Sequence, residues 1–317
     1  MKTEAILFDQ PRQVRLGRLD LPELGLGQVE VDIEHSGIST GTERLLWDGT
    51  MPSFPGMGYP LVPGYEAVGR VTRVANDVDM AIGQRVFVPG TRCWQGVHSL
   101  FGASAKRLHA DHQKVVPVDE ALGRDAVLFA LAATAYHSVS GGGQQAPHAP
   151  PDLIVGHGVM GRLLARMTVA AGAEPPTVWE VDAERSKGAV GYHVMHPEDD
   201  PRRDYRHIYD VSGDAELLNS LIQRLHPGGE IVLAGFYKQD IRFAFAPAFM
   251  REMRMRLAAE WKRADLLAVK ALVETGRLSI ADLVTHQATP TQAHEAYELA
   301  FTDRSCLKMV IDWRTHA

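Results

Sequence analysis

The sequence predicts an α/β protein, with a β-rich first domain and a doubly wound second domain that binds a dinucleotide. Three observations carry this. A glycine fingerprint, G-x-G-x-x-G at Gly156, Gly158 and Gly161, sits in mid-chain between an apolar run, Leu153-Ile154-Val155, and a helical pattern through Leu163, Leu164, Met167, Ala170 and Ala171. After it, strand and helix patterns alternate. Before it, short strands and turns follow one another. The alternating half is what a parallel sheet with crossover helices requires.

In the first half, Ala5-Ile6-Leu7-Phe8 and Val14-Arg15-Leu16 read as strands, and 28–33 alternates with period two. Another strand is expected over 66–74, with Gly69 at a bulge. Val86-Phe87-Val88 follows the turn Gly83-Gln84-Arg85, and the Pro- and Gly-crowded stretch 52–64 predicts loop. A helix is expected over 124–138, and the polar stretch 140–151 leads from it to the fingerprint.

Within the fingerprint, the first glycine permits a tight turn, the second lets backbone approach a pyrophosphate, and the third lets helix pack on strand. The helix N-terminus adds free N–H groups and a positive dipole end. Gly156, Gly158, Val159, Met160 and Gly161 are the expected phosphate contacts. The next strand, 177–181, carries Glu180, 24 residues after Gly156, where an acid holds the adenosine ribose hydroxyls. Arg185 joins the same cofactor set. Glu180 predicts NAD over NADP, because a carboxylate repels a 2′-phosphate; the alternative is a surface carboxylate on a nucleotide-free strand end. Beyond it come a strand at 208–211, a helix at 214–225, a turn at Gly228-Gly229 and a strand at 230–234. A helix at 293–300 precedes a last strand, 307–311, expected to return to the first domain. The expected domains are 1–139 with 286–317, and 140–285.

A length of 317 residues suits two domains, and 45% hydrophobic with 23% charged residues is an ordinary globular balance. A net charge of −6 without a basic block argues against nucleic acid as partner. The Arg/Lys cluster at 251–263 is interleaved with Met, Leu and Trp and reads as one solvated helix face. The only cysteines, Cys93 and Cys306, give neither a disulfide framework nor a C-x-x-C metal site. No signal-peptide pattern opens the chain and no apolar run approaches a membrane span, so a cytoplasmic enzyme without an integral membrane segment is expected.

A β-rich domain, a central nucleotide domain and a returning terminal strand together resemble the medium-chain dehydrogenase/reductase superfamily. The resemblance spans nearly the whole chain and is carried by Gly64-Tyr65-Glu66-Ala67-Val68-Gly69, Gly83-Gln84-Arg85-Val86, the fingerprint, Leu225-His226-Pro227-Gly228-Gly229 and Leu307-Lys308-Met309-Val310. It implies a GroES-like catalytic domain beside a Rossmann domain. Zinc-dependent members bind the metal through a Cys, a His and a third Cys or acid, and keep one position open. Here the family's Cys-Gly-Ser-Asp element is matched by Thr40-Gly41-Thr42-Glu43 and its Gly-His-Glu element by Gly64-Tyr65-Glu66, while the third ligand falls near Ala130. Thr, Tyr and Ala cannot build that site, and the four-Cys structural lobe is missing, so no metal is expected. His35, His98 and His137 read as structural or solvated.

The stretch from Ser36 to Trp47 and the stretch from Phe54 to Glu66, with 115–122 and 131–137, are similar to a zinc-free branch of that superfamily. That branch acts on hydroxyethyl-bearing precursors of bacteriochlorophyll. The similarity implies oxidation of the C3 hydroxyethyl group of a magnesium tetrapyrrole to acetyl, with NAD⁺ as hydride acceptor. A homodimer through the Rossmann edge strand is the habit of the superfamily.

Oxidising a secondary alcohol needs a hydride acceptor, a proton acceptor and stabilisation of the developing alkoxide. Without zinc, Tyr65 is expected to hydrogen-bond the substrate oxygen, Thr40 and Thr42 to relay a proton, and Glu43 or Glu66 to accept it; a structural role is the alternative for either acid. A flat apolar substrate asks for aromatic walls with a few placed polar groups. Trp47, Phe54, Tyr59 and Trp94, with Met57 and Phe101, are the candidates, and ordinary core packing is the alternative for each. Arg44 or Arg92 is either the partner of a substrate propionate or a surface charge. Two other functions stay open: a zinc-free quinone or enoyl reductase, a class that prefers NADPH and so conflicts with Glu180, and a nucleotide-binding homologue without catalysis.

Overall fold

The computed structural model describes residues 1–53, 55–140 and 149–315, so Phe54 and most of the stretch 140–151 lie outside the described residues. The chain forms two compact units, Met1–Ala130 with Ala281–Ala317, and Leu131–Ile280. The first boundary falls nine residues earlier than 139, within the helix Phe129–Val139. The cause is bonding. The Ser138 carbonyl accepts from Tyr209 Oη (3.4 Å) and Arg256 Nη2 (2.9 Å), and His137 Nδ1 donates to Asp265 Oδ2 (2.7 Å). These partners all belong to the second unit.

The first unit is built on the strand Gln28–Ile38, whose Val29, Val31 and Ile33 alternate into the core. It pairs antiparallel with Ala67–Val74, Arg107–Asp111 and the terminal strand Met309–Asp312, so the chain's end is woven into the sheet that starts near its beginning. A smaller sheet orders Gln13–Asp20, Lys2–Gln10, Leu61–Val62 and His98–Ser99. Gly69 is not the bulged residue. It pairs with Ile33 while Val68 pairs with His35, which leaves Glu34 on the facing strand as the extra residue. Gly69 serves close approach instead, since a Cβ there would lie 2.2 Å from the Asp32 carbonyl oxygen. The single helix expected over 124–138 is two pieces, a 3₁₀ stretch Glu120–Leu128 with a break at Gly123 and the α-helix Phe129–Val139.

The second unit is a sheet of six parallel strands, in the order His193–Met195, Thr177–Trp179, Leu153–Val155, Tyr205–Asp210, Leu225–Leu233, Arg254–Leu257. The strand order reverses at Leu153–Val155, which places a crevice at its carboxyl end. The ladder jumps from Tyr205–Leu225 to His207–Glu230, so the Gly228-Gly229 turn is looped out of the strand. The basic cluster at 251–263 is not one helix face: it spans the edge strand Arg254–Leu257 and the start of the helix Arg263–Glu274. Two crossovers depart from the doubly wound pattern, because neither 180–192 nor 196–204 contains a helix. Arg162, from the helix Val159–Ala170, holds the first of these segments instead. Its guanidinium donates to the carbonyls of His157 (3.0 Å), Arg185 (2.8 Å) and Lys187 (2.7 Å). One buried cation thus satisfies carbonyls that a helix would have paired internally.

Candidate active site

The nucleotide turn follows from three glycines. The strand Leu153–Val155 ends at Gly156 with φ +104°, and the helix Val159–Ala170 begins after Gly158. Gly161 packs so tightly that a Cβ would lie 1.9 Å from the Gly156 carbonyl oxygen, whereas nothing lies within 4 Å of a Cβ built on Gly158. The turn is therefore closed on its inner side and open where a pyrophosphate would approach, which is the shape a dinucleotide needs. The N–H groups of Val159, Met160 and Gly161 are those no intrahelical carbonyl takes.

Glu180 stands beside this turn. Its Oε2 accepts from the His157 N–H (3.1 Å), and its Oε1 accepts from the N–H groups of Val181 (2.8 Å) and Asp182 (2.9 Å). A carboxylate offers about four acceptor sites, so capacity remains for ribose hydroxyls. Arg185 takes part through its main chain. Its carbonyl accepts from Arg162 and from His157 Nδ1 at 2.6 Å. With that ring nitrogen donating, His157 Nε2 accepts from Tyr192 Oη at 2.8 Å. Burial holds the imidazole down to about 4, so it stays neutral. His157, Arg162 and Tyr192 were not expected; the visible signal was a charged residue directly after the last fingerprint glycine.

In the first unit, the strand Gln28–Ile38 runs through Ser39, Thr40 and Gly41 into the helix Thr42–Asp48. Thr40, Thr42 and Tyr65 are partly exposed, while Glu43 and Glu66 are fully buried. Tyr65 Oη donates to Ser39 Oγ at 2.5 Å, and the Tyr65 ring meets Phe101 edge-on at 4.9 Å. Burial, then the neighbouring Glu66 charge, pushes the phenol far up, so it remains a proton donor. Glu66 Oε2 takes Lys308 Nζ at 2.6 Å, and Lys308 also donates to the Ile38 carbonyl at 3.2 Å. Glu43 Oε2 accepts from Tyr297 Oη at 3.0 Å. Burial, reinforced by the Glu66 charge, pushes the Glu43 carboxyl up to about 8. Sequence reasoning missed Lys308, Tyr297 and Ser39 as members of this cluster.

The aromatic candidates are placed differently. Trp47 packs on Phe301 at 5.3 Å, with the Arg12 guanidinium over its ring. Tyr59 Oη donates to the Leu46 carbonyl. Trp94 is 7% exposed and donates from Nε1 to the Gly102 carbonyl at 2.8 Å. Trp94 is built into the core of its unit, and Trp47, Tyr59, Met57 and Phe101 are partly buried and pack against it. Arg44 and Arg92 are exposed.

At the positions where zinc-dependent relatives of this fold keep ligands, Thr40 and Tyr65 offer hydroxyls and Ala130 offers nothing. Among the described residues, no three of His, Cys, Asp and Glu gather as a metal-holding group. Zinc wants imidazole and thiolate, and this donor set does not fit it.

Fold and site together define a two-unit dehydrogenase with a GroES-like unit and a Rossmann unit. Residues 25–120 match the alcohol dehydrogenase GroES-like domain. An alcohol dehydrogenase of Escherichia coli CFT073, solved with NADH, shares the fold at a TM-score of 0.82 and 20% identity, over 98% of this chain and 99% of that one. Two curated relatives are far more similar in sequence. The 2-desacetyl-2-hydroxyethyl bacteriochlorophyllide A dehydrogenase of Cereibacter sphaeroides is 53% identical over 100% of both chains, and that of Rhodobacter capsulatus is 52% identical over 99% of both. The chain belongs to this dehydrogenase family. Among the described residues, no helix is long and apolar enough to cross a membrane.

Proposed function

We propose that this protein oxidises the C3 1-hydroxyethyl group of a bacteriochlorophyllide to acetyl, with NAD⁺ as hydride acceptor and no metal. The observation that carries the reading is full-length identity above one half to dehydrogenases named for that substrate. The geometry supports it. The turn at 156–161 and Glu180 would hold the cofactor, which supplies the hydride acceptor when bound. Tyr65, Thr40 and Thr42 present hydroxyls to the substrate oxygen, where preorganised donors stabilise developing negative charge. The proton goes to one of the buried acids, Glu43 or Glu66. Because the Tyr65 phenol stays protonated, it acts by donating a hydrogen bond and not by removing the proton; its one O–H, given to Ser39 Oγ in the free protein, turns to the substrate oxygen when that is bound. The edge strand Arg254–Leu257 leaves Leu257 73% exposed, which supports a homodimer through that edge.

Incubation with NAD⁺ and the hydroxyethyl pigment should give a red-shifted acetyl product and matching NADH. Absence of both would contradict the reading.

The preference for NAD over NADP rests on Glu180, and this separates the reading from a zinc-free quinone or enoyl reductase. Glu180→Gln removes a charged acceptor, a bond worth about 1.5–3 kcal/mol. NAD⁺ should then bind about ten- to a hundredfold more weakly and discrimination against NADP⁺ should relax. Fluorescence titration measures both; a wild-type protein that binds NADPH more tightly than NADH would contradict the assignment.

A further inference from the structure

The polar groups behind Tyr65 do not balance in charge. Two fully buried carboxyls, Glu43 and Glu66, share one ammonium, Lys308, itself 1% exposed. Lys308 sits on Glu66 at 2.6 Å, whereas Glu43 has a neutral donor, Tyr297 Oη at 3.0 Å. One oxygen of each carboxyl, Oε1, has no hydrogen-bond partner among the described residues. A buried charge without a counter-charge is strongly disfavoured. One of the two acids therefore holds a proton at rest, and it is the one without the ammonium.

We propose that Lys308 and Tyr297 are positioning residues that divide the two acids between them: Lys308 keeps Glu66 a fixed anion, and Tyr297 keeps Glu43 as the group that takes the alcohol proton. The proposal rests on the alcohol-oxidising reading above and decides between the acids it left open. In the step, the substrate O–H bond breaks and its proton bonds to an oxygen of ionised Glu43. The electron pair left on oxygen forms the C=O bond as the C–H hydride departs to the oxidised nicotinamide. Glu43 is then neutral and resets by losing its proton to water. Hydroxyl groups flank the start of the helix that carries Glu43: Ser39 Oγ accepts from Tyr65 Oη, and Thr42 directly precedes Glu43 in the chain.

The groups facing Glu43 come from every neighbouring segment. Tyr297 comes from the helix Ala293–Thr302, Tyr65 and Glu66 from the segment entering Ala67–Val74, and Lys308 from the segment entering Met309–Asp312. Glu66 raises Glu43, while Tyr297 and Lys308 lower it, and burial outweighs them.

Infrared spectra of the cofactor-free protein read these acids directly. The carbonyl stretch of a protonated carboxyl should be present below neutral pH and disappear with a midpoint near 8. Glu43→Gln, nearly isosteric, should abolish it. Tyr297→Phe should move the midpoint up, and Glu66→Gln should move it down. In turnover, kcat/KM for oxidation should rise with pH through the same midpoint, and that limb should move up in Tyr297→Phe. Glu43→Gln should lower kcat by about 10²–10⁴-fold with NAD⁺ affinity unchanged. A stretch that survives in Glu43→Gln, or a Glu43→Gln enzyme that keeps its kcat, overturns the proposal. So does a pH–rate limb that stays in place when Tyr297→Phe shifts the infrared midpoint. If the infrared titration behaves as stated but the wild type does not oxidise the pigment, the functional reading is what fails, and the proton-acceptor role falls with it while the charge assignment stands.

Discussion

Tyr65→Phe should lower kcat by about 10²–10³-fold, the usual loss when one preorganised donor to a developing oxyanion is removed. NAD⁺ affinity should not change, because the residues that would hold the cofactor lie in the other unit, at the 156–161 turn. The substitution keeps the ring and its edge-on contact with Phe101, so it removes the hydroxyl and little else. Thr40→Val should act in the same direction and less. Steady-state kinetics with a separate NAD⁺ titration checks both. A Tyr65→Phe enzyme within about twofold of wild type, far short of a lost donor, would assign Tyr65 to filling space and turn attention to Thr42.

Lys308→Met should be the most destabilising single change in the first unit. It leaves the fully buried Glu66 without the ammonium at 2.6 Å. Removing one partner of a buried pair costs about 3–5 kcal/mol. Denaturant unfolding should show that loss, and Glu66→Gln in the same background should recover most of it. A loss below about 1 kcal/mol, the range of a surface pair, would mean that the pair is solvated. The loss should also grow with pH. Burial already holds Glu66 above its ordinary value against the pull of Lys308, and loss of the ammonium raises it further, so the folded state holds the proton more tightly than the unfolded chain. Stability from such a group is full below the ordinary carboxylate range and is lost as pH rises towards the folded value. Glu43 already behaves this way in the wild type. Its contribution should decline between about 4.5 and about 8 and stay flat above, and Glu43→Gln should flatten that decline.

The cofactor half of this chemistry was legible in the sequence because a tight turn needs glycines at fixed spacing and strand ends are marked by short apolar runs. Glu180 was placed by spacing alone, and its carboxylate accepts from the His157 N–H of the turn. The other half was legible only as residue types at matched positions. Tyr297 reaches Glu43 across 254 residues of chain, and Lys308 reaches Glu66 across 242. No local pattern announces such pairs. The hint for Lys308 was a lone cation inside the apolar run Leu307-Lys308-Met309-Val310. The hint for Tyr297 was a large polar ring on a helix face otherwise made of Ala293, Ala296, Ala300 and Phe301. Trp47, Tyr59 and Trp94 mark the opposite limit: an aromatic in a glycine-rich loop segment reads the same whether it turns to a ligand or to the core. The helix-free crossover at 180–192 was hidden for a similar reason, since its Arg185 and Lys187 carbonyls are satisfied by Arg162, a residue outside the segment.

Alcohol oxidation without a metal is tested most directly by zinc content and turnover measured on the same protein. Protein dialysed against EDTA is analysed for zinc and then assayed for NADH formation from the hydroxyethyl bacteriochlorophyllide. The donor set of Thr40, Tyr65 and Ala130 predicts full turnover with zinc well below stoichiometric. Stoichiometric zinc in the untreated protein, with turnover lost on dialysis and restored by adding zinc back, would contradict it.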